Sequence, residues 1–270
     1  KMSMQIAGGD DEQTSGGFQF EEADFSPASL NDTKFKNLWA KWGLDQCSFI
    51  KKFTFDEFFS KHQTEVFFKD FFASPQVQRS LRVAAGRNSW GPVGPIKSAD
   101  IQDLSCTVTN LEFFQKLQDI DPPVVRESGS IMKCFDEVVD GLVISDELRK
   151  ILIMEDSENY EELTRAERSE FIMHLFQRLV VGGGTCQYED DLQPYLDVTK
   201  HLYKDLVSVS KNVNTKRLEV TSLAFQLVSL DADFSLFPMG ASERFSTCYA
   251  VIEPLQRSVI VWYQAHIPPF

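Results

Sequence analysis

The chain has 270 residues, 43% of them hydrophobic, and a formal net charge of −13. So acidic a composition speaks against nucleic-acid binding and against an anionic membrane surface, both of which need a surplus of Lys and Arg. No apolar run reaches the roughly 18 residues of a membrane-spanning helix.

Residues 1–17 are polar and include Asp10, Asp11 and Glu12. They read as a flexible acidic tail, and 18–270 as a single domain. Phe18 and Phe20 alternate with polar neighbours, a short strand signal. Phe35, Leu38, Trp39 and Trp42 follow helical spacing, with Gly43 placed to end the helix. Phe53 and Phe55 alternate again. From Asp56 the pattern turns helical through Phe58, Phe59, Val66, Phe67, Phe71 and Phe72, and Pro75 ends that helix and can open another. The stretch Gly86 to Pro95, GRNSWGPVGP, reads as a loop, and 86–100 as a possible surface loop within the domain. Leu104, Cys106 and Val108 suggest a half-buried strand, and Leu111 to Leu117 a helix.

Ser145 is a plausible helix N-cap with Asp146 and Glu147 in the first turn. Thr164 and Glu167 form a capping box. The following helix should bury Phe171, Ile172, Leu175, Phe176, Leu179 and Val180 and stop at Gly182-Gly183-Gly184. A further helix spans about Asp191 to Val209, with Leu192, Tyr195, Val198, Leu202 and Leu206 inward. The period then becomes two. Leu218, Val220, Leu223, Phe225 and Leu227 suggest a strand with a bulge. Thr247 to Ile252 and Ser258 to Tyr263 flank a turn at Glu253-Pro254-Leu255-Gln256. The expected class is α+β: a helical middle packed on a mostly antiparallel sheet formed by the C-terminal and N-terminal strands.

Candidate chemistry is sparse. The triple glycine follows a helix and no Lys follows it, so it fits a helix stop rather than a phosphate loop. Cys186 could act as a nucleophile with His174 or His201, but Glu189 and Asp190 would raise its pKa. His62, His174, His201 and His266 are isolated, which speaks against a metal site. Acidic pairs such as Glu155-Asp156 read as solvated faces. No catalytic residue, metal or cofactor is expected. The five Cys are widely spaced and odd in number, which points to reduced thiols in a cytosolic compartment.

One charge feature stands out. From Glu155 to Asp197 the local net is −8, and from Lys200 to Arg217 it is +4. Such asymmetry can orient a protein partner; the alternative is mutual neutralisation of neighbouring helices. The segment from Tyr188 to Lys216 is therefore the candidate partner surface. Tyr188, Glu189, Asp190, Tyr195, Lys204, Lys211 and Lys216 are its named residues, with Tyr203 among the flanking tyrosines.

The strings RESGSIMKCFDE (Arg126 to Glu137), ISDELRKILIMEDSENYE (Ile144 to Glu161) and GGTCQYEDDLQPYLDVTKHLYKDLVSV (Gly183 to Val209) resemble the family of cilia- and flagella-associated protein 300. So does the run from Lys211-Asn212 to Thr215-Lys216. The resemblance is strongest from about Arg126 to Phe225 and extends more loosely over Phe18 to Tyr263. It departs from the family pattern over Gly86 to Ile101. It implies a non-enzymatic factor for assembly or ciliary transport of outer and inner axonemal dynein arms, located in the cytoplasm and the axoneme. The implied partners are the assembly factor Kintoun, axonemal dynein chains or the ciliary transport machinery, with neither nucleic acid nor membrane among them. The alternatives are a cryptic thiol or carboxylate enzyme and a stable structural component of the axoneme.

Overall fold

A computed structural model describes residues 17–86, 89–93, 99–184, 188–230, 236–238 and 241–267. In chain order the elements are β1 (Phe20–Ala23), α1 (Thr33–Lys41), β2 (Ser48–Phe55), α2 (Thr64–Ala73), α3 (Pro75–Ser80), β3 (Arg82–Gly86), β4 (Ser89–Pro92), β5 (Ala99–Leu104) and α4 (Lys116–Asp119). They continue with β6 (Lys133–Val139), β7 (Leu142–Asp146), α5 (Glu147–Ile153), α6 (Arg165–Arg168), α7 (Phe171–Val181) and α8 (Gln193–Leu206). The chain closes with β8 (Val209–Lys211), β9 (Leu218–Val220), β10 (Leu223–Leu230), β11 (Thr247–Glu253) and β12 (Ser258–Gln264).

The fold is α+β, built on a six-stranded antiparallel sheet ordered β1-β2-β12-β11-β10-β5. Its N-terminal and C-terminal strands interleave, because β2 pairs with β12 from Ser48 against Gln264 to Thr54 against Ser258. Every residue of β11 and β12 is buried. Period-two alternation then divides their side chains between two cores. Tyr249, Val251, Ile260 and Trp262 join the core holding α1, α5, α7 and α8. Cys248, Ala250, Ile252, Val259, Val261 and Tyr263 join the one holding α2 and α3. The second core is rich in phenylalanine. Phe67 meets Phe18, Phe20, Phe55 and Phe59 edge-on at 5.0 to 5.1 Å, a favoured aromatic geometry. Helices thus cover both faces of the sheet.

Several local expectations need correction. The helix expected from Asp56 starts at Thr64, after a 3-10 turn at Lys61–Gln63, and Phe58 and Val66 are exposed. The GRNSWGPVGP stretch contains β4, which pairs with β3. Trp90 anchors it with ring contacts to Phe49 at 5.8 Å and Tyr263 at 6.0 Å. The edge strand β5 ends at Leu104, before Cys106 and Val108. The helix cap at α5 is Asp146, not Ser145, because β7 runs on through Ser145 and the Asp146 carboxylate accepts the Arg149 N–H at 2.8 Å. The Thr164–Glu167 capping box forms, but it opens only the short α6. Leu218 and Val220 belong to the small β8–β9 ribbon rather than to the strand that holds Phe225. The helix placed at 191–209 begins at Gln193 and ends at Leu206.

Candidate interaction surface

The segment from Tyr188 begins beside a buried charge. Arg149 and Asp146 are both fully buried and form an ion pair at the start of α5. The Arg149 guanidinium also donates to Val180 O at 2.7 Å and Tyr195 Oη at 2.8 Å. The Tyr188 ring lies 3.5 Å from it, and the Tyr188 hydroxyl donates to Val143 O. A buried guanidinium needs this many partners, because its desolvation is offset only by a counter-charge and satisfied donors. The Tyr195 hydroxyl in turn accepts the Glu189 N–H at 3.0 Å, and its ring stacks on Trp42 at 4.9 Å. Glu189 accepts from Trp42 Nε1 at 2.9 Å and pairs with Lys41 at 2.7 Å. Tyr188, Glu189 and Tyr195 are therefore internal struts that lock α8 to α1 and α5. Tyr195 is fully buried and offers nothing to a partner. Asp190 is exposed and pairs with Lys133 at 2.9 Å, whose ammonium lowers its pKa.

The basic half is different. Lys200 and Lys204 lie on the exposed side of α8, where with Lys34, Leu38, Asp197 and His201 they line a groove of about 260 Å³ against α1. Lys211, Lys216 and Arg217 are exposed on the β8–β9 ribbon, as are Val209, Val213 and Leu218. Among the described residues none of these five cations forms an ion pair. The acids of the preceding segment pair with other lysines: Asp197 with Lys34, Glu167 with Lys116, Glu189 with Lys41 and Asp190 with Lys133. Asp205 is committed to the backbone N–H groups of Ala28 and Ser29, each at 3.0 Å. Mutual neutralisation of the two halves does not occur. The structure brings Lys204, Lys211 and Lys216 to the surface and turns Tyr188, Glu189 and Tyr195 inward.

The other candidate groups sit in structural roles. Burial pushes the thiols of Cys47 and Cys248 up to about 12 and that of Cys106 up to about 11, so each stays protonated at neutral pH. Burial, aided by Arg178, holds His174 at about 4, and its ring shares a hydrogen bond with the Tyr249 hydroxyl at 3.2 Å. Glu170 accepts from Ser105 and Thr107. Cys186 lies outside the described residues. Among those described, no three metal-ligating side chains converge, and no helix is long and apolar enough to cross a membrane. The triple glycine is a packing device. A Cβ on Gly183 would lie 2.3 Å from Gly43 O and 2.8 Å from Cys47 Sγ. Gly184 has a φ of +96°, where side chains are strained, and lies against Ile267 O.

Sequence reasoning missed two features. Arg149 is one of three charged residues in ELRKILI, beside Glu147 and Lys150, and nothing local marks it as the buried one. Phe135 and Val138 on β6 are 95% and 71% exposed, although apolar residues normally read as core.

Comparison with known proteins places these features in context. The family model described as cilia- and flagella-associated protein 300 matches residues 17–264. A protein of that name from Chlamydomonas reinhardtii is 32% identical over 247 residues, covering 90% of this chain and 95% of its own. Another, from Paramecium tetraurelia, is 35% identical over 230 residues, covering 85% and 86%. No solved structure matches.

Proposed function

Because the chain belongs to the cilia- and flagella-associated protein 300 family, we propose that it is a non-catalytic protein-binding factor for assembly or ciliary transport of outer and inner axonemal dynein arms. It works in the cytoplasm and at the cilium. Its partners are Kintoun, axonemal dynein chains or the ciliary transport machinery. The family name supports the ciliary setting. The observation that carries the binding role is the cationic surface of α8 and the β8–β9 ribbon, whose lysines have no ion-pair partner among the described residues and are interleaved with exposed Val209, Val213 and Leu218. Exposed apolar side chains set among unpaired charges suit an interface better than a solvated face. The raised pKa values of Cys47, Cys106 and Cys248 speak against thiol chemistry at those three residues.

The test reverses Lys204, Lys211 and Lys216 to Glu together and recovers wild type and variant from ciliating cells. Exposed charges without ion pairs contribute little to folding, typically under about 1 kcal/mol each. Melting should therefore be unchanged, while recovery of Kintoun, dynein heavy chains or transport subunits falls. Recovery of axonemal tubulin alone, or retention of every partner, would count against the proposal.

A further inference from the structure

The β6–β7 hairpin carries a second surface, of opposite sign and different geometry. Asp140 and Gly141 form its two-residue turn, with φ of 49° and 80°, between Val139 and Leu142. Both positive φ values match the turn that closes a hairpin on a hydrogen-bonded pair. Pairs then alternate along the regular part of the ladder from Val139 to Glu137, before the register shifts between Glu137 and Lys133, so Val138 opposite Val143 is a non-bonded pair. The N–H and C=O of both residues point away from the hairpin. On the β7 side that outward carbonyl is used, because Val143 O accepts the Tyr188 hydroxyl. On the β6 side, no backbone group of Lys133–Val139 meets a described residue outside the hairpin. One edge is capped and the other is open.

The open strand runs over Lys133–Val139 and mixes exposed apolar side chains with charged ones. Phe135 and Val138 face solvent. Its polar side chains are mostly acidic. Asp136 has no ion partner among the described residues, and Glu137 and Asp140 are held only by longer bridges, at 3.3 Å to Lys150 and 3.6 Å to Arg244. Lys133, its one cation, is paired with Asp190. Pairing of β6 with β6 of a second copy would set these carboxylates against each other, which cross-strand energetics oppose. We propose that β6 accepts an extended, basic segment of a partner protein as a third strand. Main-chain hydrogen bonds at Val138 would supply affinity, Phe135 and Val138 apolar contact, and the carboxylates the preference for Lys and Arg.

The test uses an N-acetylated, fluorescein-labelled nonapeptide of alternating Lys and Val, followed by anisotropy on the full chain. A matched peptide of alternating Glu and Val serves as control. The Lys peptide should bind at least tenfold more tightly. Val138→Pro removes the outward N–H without touching the internal ladder and should weaken binding at least tenfold, as should Phe135→Ser. If melting shows Val138→Pro unfolded, Phe135→Ser decides. Bound peptide should slow hydrogen exchange of the Val138 amide in the wild-type chain. Equal binding by the folded variants overturns the assignment. So does protection at Val209–Val220 instead, or a dimer in sedimentation that Phe135→Ser disperses, since that would make the occupant a second copy. Dynein recovery after lysine reversal is a separate readout, so failure of either proposal leaves the other standing.

Discussion

Replacing Asp146 by Ala should be among the most damaging single changes in this protein. Two losses add. The carboxylate caps α5 through the Arg149 N–H at 2.8 Å, and loss of such a cap costs about 1 kcal/mol. It is also the only counter-charge among the described residues on a fully buried guanidinium. Stranding a buried charge in this way costs about 3–5 kcal/mol. Val180 O, Tyr195 Oη and the Tyr188 ring remain as partners, but none carries charge. The sum is about 4–6 kcal/mol, a large share of the 5–15 kcal/mol typical of a folded domain.

The double variant Asp146→Ser with Arg149→Met separates the two losses. Ser restores the cap and Met fills the site without charge. Only the orphaned Val180 carbonyl remains, worth about 1–3 kcal/mol. The double variant should therefore be more stable than Asp146→Ala although it carries one more substitution. Urea unfolding followed by tryptophan fluorescence and circular dichroism measures both, with coincident curves establishing that two-state analysis holds. A cost below about 1 kcal/mol for Asp146→Ala, or a double variant no better than it, would refute the reasoning that the pair is buried and coupled.

Phe176 is fully buried with its ring 4.6 Å from Phe114, so Phe176→Ala should cost about 3–5 kcal/mol in urea unfolding; unchanged stability would mean that α7 does not face the core. His174 binds its proton at about 4 in the fold against an ordinary 6.5. The unfolded chain therefore takes up the proton first as pH falls, and stability present above 6.5 is lost between 6.5 and about 4, by about 3 kcal/mol at the lower end. His174→Gln should flatten that acid limb in pH-dependent unfolding, and an unchanged slope would show that His174 is not the group responsible. Intact protein treated with iodoacetamide at pH 8 should be modified at Cys134 well before Cys47, Cys106 or Cys248, which burial keeps protonated; mass spectrometry gives the order, and early loss of Cys47 would contradict the packing around Gly183.

What was legible in the sequence was local. Alternation at Phe53 and Phe55 and from Thr247 to Tyr263 marked strands, and the stripe from Phe171 to Val180 marked a buried helix, because each signal arises within one element. The interleaving of β2 with β12 joins residues some 200 apart and leaves no local trace. The phenylalanine-rich α2 covers the opposite sheet face for the same reason: periodicity fixes which side of a helix is apolar, not which surface it meets. Gly and Pro in GRNSWGPVGP hid β4, whose stability comes from Trp90 against distant Phe49 and Tyr263. In the candidate surface, the lysines of the basic run are exposed. The tyrosines chosen as contact residues turned inward because Arg149, 46 residues before Tyr195, needed them.

The net charge of −13 says little about where this chain binds. Of the eleven acids from Glu155 to Asp197, four pair with Lys34, Lys41, Lys116 and Lys133, and Asp205 is held by N–H groups. The positive charge of the α8 face and the β8–β9 ribbon is left unspent. An acidic partner therefore approaches against the field of the whole molecule and is held only within a Debye length, about 8 Å at physiological salt. A basic segment approaching β6 is drawn by that field from further away. The two surfaces thus differ in kinetics as well as in sign. On these two proposals, docking on the lysines would depend on close apolar contact through Val209, Val213 and Leu218, whereas docking on β6 would be steered electrostatically and then fixed by main-chain hydrogen bonds.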